Sequence, residues 1–218
     1  MKVLKFGGTS VGSSKNINKV IQILDNYSKD DTVVCVVSAI GGITDKLLLA
    51  GKLAQNKDNN FLNTFNTIKE IHFEIINELN PNKNKSILSY VDEQLSDLKN
   101  LLDGIYLINE LSPKTSDKLV SFGEYLSSYI IAETMKNRAL SAERKNAQEL
   151  IITNSNFTKA EVVFKTTNSN IKDYFKSAQQ QITIVPGFIA NSTLGEQTTL
   201  GRGGSDFTAA IIAAALHV

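Results

Sequence analysis

The stretch KVLKFGGTSVGSS, residues 2–14, decides the fold. It holds a short apolar run that ends at the glycine pair Gly7-Gly8, which predicts a buried strand entering a tight turn. Residues 14–27 then place apolar side chains at helical spacing, which predicts an amphipathic helix. Residues 32–38 are apolar throughout, as is typical of a strand covered on both faces. The sequence therefore predicts a βαβ unit with a right-handed crossover.

The rest of the chain alternates long helical segments with short strands. Further helices are predicted from a cap at Thr44 or Asp45 to residue 55, and over residues 61–79, 87–111, 116–136, 171–180 and 205–216. Short strands are predicted over residues 150–153, 161–165, 182–185 and 188–190, and a loop over residues 191–204. We expect an α/β fold, a three-layer αβα sandwich with a mainly parallel sheet and a helical insertion near residues 55–135.

Composition excludes several classes of protein. The 218 residues suit one domain, and the net charge of +1 offers no basic field for nucleic acid. No apolar run reaches the ~20 residues that cross a bilayer, and the apolar N-terminal stretch is too short for a signal peptide. Cys35 is the single cysteine, so no intrachain disulfide forms, and its apolar neighbours predict a buried small hydrophobe. We expect a cytoplasmic protein.

Two glycine loops follow the first two predicted strands. Residues 5–14 carry Lys5 and two glycines, and the N–H groups of such a turn and its following helix suit an anion. Neither G-x-x-x-x-G-K-[ST] nor G-x-G-x-x-G is present. Residues 38–45, SAIGGITD, reach the same sheet edge and add the hydroxyls of Ser38 and Thr44. A tight turn with glycine for steric reasons is the alternative for the first loop, and a glycine-rich connection between strand and helix is the alternative for the second.

Two later segments carry charged groups between glycines. Residues 199–210, TLGRGGSDFTAA, place Arg202 where its planar fork can bind a carboxylate. Ser205 or Asp206 opens the following helix, with a simple N-cap as the alternative role. In residues 121–128, Glu124 follows Gly123 within a helix, where glycine costs ~1 kcal/mol against alanine. Close approach of a ligand is one reason for that glycine, and an exposed helix glutamate is the alternative reading of Glu124.

Together these segments resemble the aspartate kinase family of the amino-acid kinase superfamily. The matching motifs, in family order and spacing, are KFGGTS at 5–10, VVSAIGGITD at 36–45, SFGE at 121–124 and LGRGGSD at 200–206. Residues 101–113, LLDGIYLINELSP, look most like the kinase portion of bifunctional aspartate kinase–homoserine dehydrogenases. The resemblance implies ATP-dependent phosphorylation of the side-chain carboxylate of L-aspartate to 4-phospho-L-aspartate, the first step towards lysine, threonine and methionine.

The resemblance also implies residue roles. Lys5 would neutralise the transferring phosphates, and Asp206 would lie near the reacting centre. Glu124 would face the α-ammonium of aspartate, and Arg202 would hold a carboxylate. The implied ATP phosphate contacts are Lys5, Gly7, Gly8, Thr9 and Ser10, and the implied supporting substrate contacts are Ser38, Thr44 and Ser205. Mg²⁺ would be held through the ATP phosphates, with no protein metal ligand, and the full-length protein would be a homo-oligomer.

The chemistry agrees with a chain poor in histidine. The side-chain carboxylate of aspartate is already an anion at neutral pH, so it needs no general base to attack phosphorus. The two histidines, His72 and His217, lie outside the glycine loops, and His72 is expected to be a surface or packing residue. Catalysis should therefore rest on positioning and on positive charge from Lys5, Mg²⁺ and backbone N–H groups.

The resemblance carries one further expectation and leaves several functions open. The family continues beyond the helix at residues 205–216 with most of its adenine and ribose contacts, so we expect residues 1–218 to be a partial catalytic domain, without regulatory domains, that binds ATP poorly alone. Relatives acting on acetylglutamate, glutamate, carbamate or UMP match the third and fourth motifs less well. A non-catalytic amino-acid sensor and a fragment without independent function also stay open.

Overall fold

The first elements of the chain form the predicted βαβ unit. A computed structural model describes residues 1–82 and 84–218. Strand β1 (Lys2–Phe6) leads into helix α1 (Ser14–Ser28), and strand β2 (Val33–Val37) follows. The hydroxyl of Ser13 caps α1 by accepting a hydrogen bond from the N–H of Asn16 at 3.2 Å. Strands β1 and β2 pair in parallel, as predicted.

The remaining elements alternate as the periodicity indicates, with helices longer than the strands. The helices are α2 (Ile43–Gln55), α3 (Asn60–Leu79), α4 (Lys85–Ile108), α5 (Pro113–Asn137), α6 (Ala147–Leu150), α7 (Phe164–Ser177) and α8 (Gly204–Leu216). The strands are β3 (Ala142–Arg144), β4 (Ile152–Thr153), β5 (Ile182–Pro186), β6 (Ile189–Ser192) and β7 (Gln197–Thr199). Helix α5, the last of the predicted helical insertion, packs directly on strands of the main sheet.

The main sheet is parallel throughout, with the strand order β1-β2-β5-β3. Every residue of β2 is buried, and its side chains alternate between two apolar clusters. Val33, Cys35 and Val37 belong to the larger cluster with helices α1 to α5, whereas Val34 and Val36 belong to the cluster with α6 to α8. Since each face of the sheet is covered by helices, the predicted three-layer αβα sandwich is confirmed.

The observed strands correct three predictions, two of which concern a second, small sheet. It has the order β4-β6-β7, with β4 and β6 parallel and β6 and β7 antiparallel. Strand β7 lies within the segment predicted as a loop, and the strand predicted at 161–165 is wrong. In its place Val162 makes an isolated bridge to Thr153, and α7 begins at Phe164. Strand β3 was not predicted, because two of its three residues are charged and its extended form depends on pairing with β5.

Two buried titratable side chains lie in the larger cluster or beside it. Cys35 is a free, buried cysteine, as predicted, and burial raises the pKa of its thiol. His72 in α3 is fully buried, with Nδ1 2.7 Å from the carbonyl oxygen of Ile68. Burial lowers the pKa of His72 to about 4, and its Nε2 has no hydrogen-bond partner in the described part of the chain. Within residues 1–82 and 84–218, no helix is both long and apolar enough to cross a membrane.

Candidate active site

A cavity of about 600 Å³ opens where β1, β2 and β5 end. Its walls come from the two early glycine loops, from one face of α5 and from the loop that precedes α8. Ligands of parallel α/β sheets bind at this edge. The four sequence motifs, distant in the chain, therefore meet at one place. The predicted site residues that line the cavity are Lys5, Gly8, Ser38, Thr44, Glu124, Arg202, Ser205 and Asp206.

Three predicted phosphate contacts lie outside this lining. Thr9 and Ser10 line a separate hollow of about 320 Å³, together with Phe6 and Asn16. Gly7 lies beside Lys5, since a Cβ placed on Gly7 would be 3.3 Å from the Lys5 ammonium nitrogen. Of the first loop, the structure thus brings Lys5 and Gly8 to the cavity and turns Thr9 and Ser10 towards a different surface.

The two early glycine loops pack against each other. A Cβ on Gly8 would lie 3.0 Å from the carbonyl oxygen of Ala39, and a Cβ on Gly41 would lie 3.2 Å from that of Gly8. A Cβ at either position would be closer than most Cβ contacts in proteins, so the facing backbone would have to shift to admit a side chain. The steric reading of these glycines is therefore correct, and it coexists with the position of Gly8 in the cavity wall.

Two helices point their N-termini at the cavity. The N-cap of α2 is Gly42, with φ of 79°, and that of α8 is Gly203, with φ of 75°. The predicted caps at Thr44 or Asp45 are wrong, because both residues lie in the first turn of α2. Ser205 and Asp206 likewise lie inside α8 and do not cap it. Free N–H groups and the positive end of each helix dipole make this cavity attractive to anions.

Two cations line the same cavity. The Lys5 ammonium lies 2.9 Å from a carboxylate oxygen of Asp206, whose side chain is 71% exposed. Such an exposed ion pair contributes little to stability, so an anionic ligand can compete for Lys5. Arg202 forms no ion pair within the part of the chain that the structure describes. The cavity therefore offers positive charge to both phosphate and carboxylate groups.

Glu124 lines the cavity and is buried, yet one of its carboxylate oxygens has no hydrogen-bond partner among the described residues. Its side chain is 3% exposed, and Oε1 accepts a hydrogen bond from the N–H of Ala39 at 3.2 Å. The other oxygen, Oε2, is buried without a partner in the same described residues. Burial raises the pKa of Glu124 to about 8, against the opposing effect of the Ala39 hydrogen bond. The reading of Glu124 as an exposed helix residue is wrong, and its free oxygen suits a cationic ligand group.

Gly123 allows α5 to approach the second glycine loop. A Cβ on Gly123 would lie 2.7 Å from the Cβ of Ala39. The expectation that a ligand approaches Gly123 is therefore wrong, because the close neighbour is the protein itself. This packing brings the Glu124 carboxylate within reach of the Ala39 N–H.

Asp117 is a cavity residue that the sequence did not reveal. It is 1% exposed and accepts three hydrogen bonds, from the Thr199 hydroxyl at 2.7 Å, the Thr199 N–H at 3.1 Å and the Thr158 N–H at 2.9 Å. Burial raises its pKa, and these hydrogen bonds oppose that shift. A single aspartate in an amphipathic helix gives no local signal, since its partners lie 41 and 82 residues away.

Phe188 also lines the cavity and was not predicted. Its φ of 66° places a bulky residue in the left-handed region, which costs of order 1–3 kcal/mol. Two hydrogen bonds hold it there: its N–H donates to the Thr208 hydroxyl at 3.0 Å, and its carbonyl accepts from the Leu200 N–H at 2.9 Å. A cavity residue held in this conformation by α8 and by the last loop is rigidly placed.

The fold and the cavity together define the class of the protein. A parallel αβα sandwich whose sheet edge combines glycine loops, two helix N-termini and a lysine belongs with the α/β proteins that bind phosphorylated ligands. More particularly, the chain belongs to the amino acid kinase family, whose model matches residues 1–218.

Individual relatives sharpen this assignment. Aspartokinase 1, chloroplastic, of Arabidopsis thaliana is 36% identical over 221 residues, which cover 98% of this chain and 38% of that protein. Lysine-sensitive aspartokinase 3 of Escherichia coli (strain K12) is 30% identical over 99% of this chain and 46% of its own length. The crystal structure of E. coli aspartokinase III in complex with aspartate and ADP superposes with a TM-score of 0.88 at 29% identity, covering 99% of this chain and 47% of that one. The predicted resemblance to aspartate kinases is confirmed, and the chain spans less than half the length of these relatives.

Proposed function

We propose that the protein containing this chain is an aspartate kinase. The observation that carries the proposal is the pairing of Glu124 and Arg202 around one cavity. The unpaired, buried oxygen of Glu124 suits an ammonium group, and the guanidinium of Arg202 suits a carboxylate. An amino acid presents both groups, and the similarity to aspartokinases narrows the choice to aspartate. The solved relative that binds aspartate and ADP supports the same pair of ligands.

The residues of the cavity account for the chemistry without a general base. An oxygen of the aspartate side chain, already anionic at neutral pH, forms a bond to the γ-phosphorus of ATP. The bond from that phosphorus to the bridging oxygen breaks, and ADP leaves with the electron pair. Repulsion between two anions is the main barrier, so Lys5 and the N-termini of α2 and α8 act by neutralising charge. The hydroxyls of Ser38, Thr44 and Ser205 orient the ligands.

Mg²⁺ fits the donor chemistry of the site. The cavity presents hydroxyl and carboxylate oxygens, including Ser38 and Asp206, which are the ligand type that Mg²⁺ prefers. Among residues 1–82 and 84–218, no group of three or more His, Cys, Asp or Glu side chains could hold a metal ion. We infer that Mg²⁺ is held through the ATP phosphates, where it supplies further neutralisation of their charge.

Four further parts of the proposal concern the whole protein. Residues 1–218 form part of the catalytic domain, including the helical segment near residues 55–135. The remaining adenine and ribose contacts, and the regulatory segments, correspond to parts of the relatives that this chain does not match. We also propose that the full-length product is a homo-oligomer, as the resemblance implies. It acts in the cytoplasm, at the first step towards lysine, threonine and methionine, and a reduced, buried Cys35 agrees with that location.

To test this proposal, the full-length gene product is incubated with Mg-ATP, hydroxylamine and one acceptor in each of four separate reactions. The acceptors are aspartate, glutamate, acetylglutamate and UMP. Hydroxylamine traps an acyl phosphate as a coloured hydroxamate, and ADP release reports turnover with UMP. Hydroxamate with aspartate alone is the expected result. Arg202→Lys keeps the charge but loses the planar fork, so it should weaken the binding of aspartate far more than the binding of ATP. Turnover with a different acceptor would assign another kinase of the family, and no ADP with any acceptor would favour an amino-acid sensor.

A further inference from the structure

The Asp117 carboxylate joins three separate segments of the cavity wall. Asp117 lies seven residues before Glu124 on α5, so two helical turns place both side chains on the same face. Its hydrogen bonds reach Thr158, in the loop between β4 and α7, and Thr199, the last residue of β7. The Ala160 N–H also donates to the Thr199 carbonyl at 2.9 Å, which ties the two segments to each other.

Thr199 lies three residues before Arg202, at the point where the regular strand ends. Between them, Gly201 adopts φ of 75°, and Gly203 repeats that conformation after Arg202. A loop with glycine on both sides of the arginine has little stiffness of its own. The Gly204 N–H donates to the Gly201 carbonyl at 3.0 Å and closes a turn around Arg202. The hydrogen bonds of Thr199 and of the Leu200 N–H to the Phe188 carbonyl anchor this turn to the cavity wall.

We propose that Asp117 is a positioning residue that fixes the spacing between Glu124 and Arg202, and with it the affinity for the amino-acid substrate. The inference rests on the proposed function, in which these two residues bind opposite ends of aspartate. Among the described residues Asp117 has no hydrogen bond or ion pair to Glu124 or Arg202, so it would act through the segments that carry them. The three groups that it binds are uncharged donors, so we assign its contribution to the geometry of its two oxygens, which an amide can reproduce.

Asparagine separates geometry from charge. In Asp117→Asn, the amide oxygen can accept from both backbone N–H groups while the amide NH₂ donates to the Thr199 hydroxyl oxygen, so all three contacts survive. Asp117→Ala removes all three. In full-length protein we expect Asp117→Ala to raise the KM for aspartate by about tenfold or more, with the KM for ATP changed by less than about twofold. Asp117→Asn should stay near the wild type.

Thr199 supplies a milder matched pair. Thr199→Ser keeps the hydroxyl that donates to Asp117, and Thr199→Val removes it with little change of volume, so the KM for aspartate should rise in the second variant only. This pair serves if Asp117→Ala does not fold. An unchanged KM for aspartate in Asp117→Ala, or in Thr199→Val, would overturn the proposal. So would an Asp117→Asn variant as impaired as Asp117→Ala, since charge would then be what matters.

A second measurement separates this inference from the proposed function. Hydrogen exchange of the Thr158 and Thr199 amides should be at least about tenfold faster in Asp117→Ala than in Asp117→Asn, because loss of the acceptor frees both N–H groups. This readout needs no turnover. If the wild type fails to phosphorylate aspartate yet exchange responds as expected, the proposed function fails and the positioning role of Asp117 towards Thr158 and Thr199 stands. Unchanged exchange removes that role whatever the substrate is.

Discussion

Substrate binding should be linked to the ionisation of Glu124. In the empty cavity, burial raises the pKa of Glu124 to about 8, so only about a tenth of the molecules carry the carboxylate at pH 7. An ammonium group binds the carboxylate and not the neutral acid. Aspartate should therefore bind with release of a proton, and its KM should fall as the pH rises towards 8.

The size of this effect follows from the pKa. Because aspartate binds only when Glu124 is ionised, the apparent KM for aspartate is multiplied by the ratio of total Glu124 to ionised Glu124. For a pKa near 8 this ratio is about 100 at pH 6 and about 2 at pH 8. The KM for aspartate should thus fall by roughly fiftyfold between pH 6 and pH 8. The KM for ATP should lack this dependence.

Initial rates at saturating Mg-ATP, measured as ADP release between pH 6 and pH 8, test this expectation. Glu124→Gln, which keeps the shape and cannot ionise, should have a raised KM for aspartate with no trend over the same range. A flat profile for the wild type, or the same slope in Glu124→Gln, would refute the link between Glu124 and the ammonium.

The same pKa makes Glu124 costly to the fold. The folded pKa of Glu124 lies above its unfolded value of 4.5. The free energy of unfolding therefore has its full contribution from neutral Glu124 below pH 4.5, and that contribution is lost as the pH rises through about 8. At pH 7 the loss is about 3 kcal/mol. Urea titration at pH 7 should show Glu124→Gln to be more stable than the wild type by up to that amount, and a less stable variant would contradict the assigned pKa.

Lys5, Gly123 and His72 carry three further predictions. Lys5→Ala should lower the turnover number by at least about a hundredfold with an unchanged circular dichroism spectrum, because it removes a cation from the cavity; wild-type turnover would remove Lys5 from the reaction. Gly123→Ala should lower the free energy of unfolding by about 1–3 kcal/mol, because its methyl group would lie 2.7 Å from the Cβ of Ala39; unchanged stability in urea would show that α5 shifts freely. His72 has a folded pKa of about 4, below its usual 6.5, so the unfolded chain takes up a proton first as the pH falls. Stability should drop by about 3 kcal/mol from pH 6.5 to 4 relative to His72→Leu, and parallel profiles would contradict the burial of a neutral ring.

Local patterns predicted the elements whose residues determine their own conformation. Strands β1, β2 and β5 are short apolar runs, and α3 and α4 repeat apolar residues every three or four positions. Strands β3 and β7 were not predicted, because they are mostly polar and only three residues long. Pairing with neighbouring strands keeps them extended. Their structure depends on contacts that composition does not encode.

The site divides in the same way. The glycine-rich segments predicted Lys5, Gly8 and Arg202, because a cluster of glycines can be recognised within one short segment of sequence. The reason for Gly123 could not be read from its own helix, because the atom that excludes a side chain belongs to Ala39. Asp117 was missed for a similar reason, as its three donors come from segments far along the chain.

The packing of Gly8 against the Ala39 carbonyl, and of Gly41 against the Gly8 carbonyl, has an evolutionary consequence. A methyl group at either glycine would crowd the same pair of loops, so the effects of the two substitutions on stability should not be additive. The two glycine motifs, about thirty residues apart in sequence, are thus coupled in their effect on stability. The cost of changing one glycine therefore depends on which residue stands at the other.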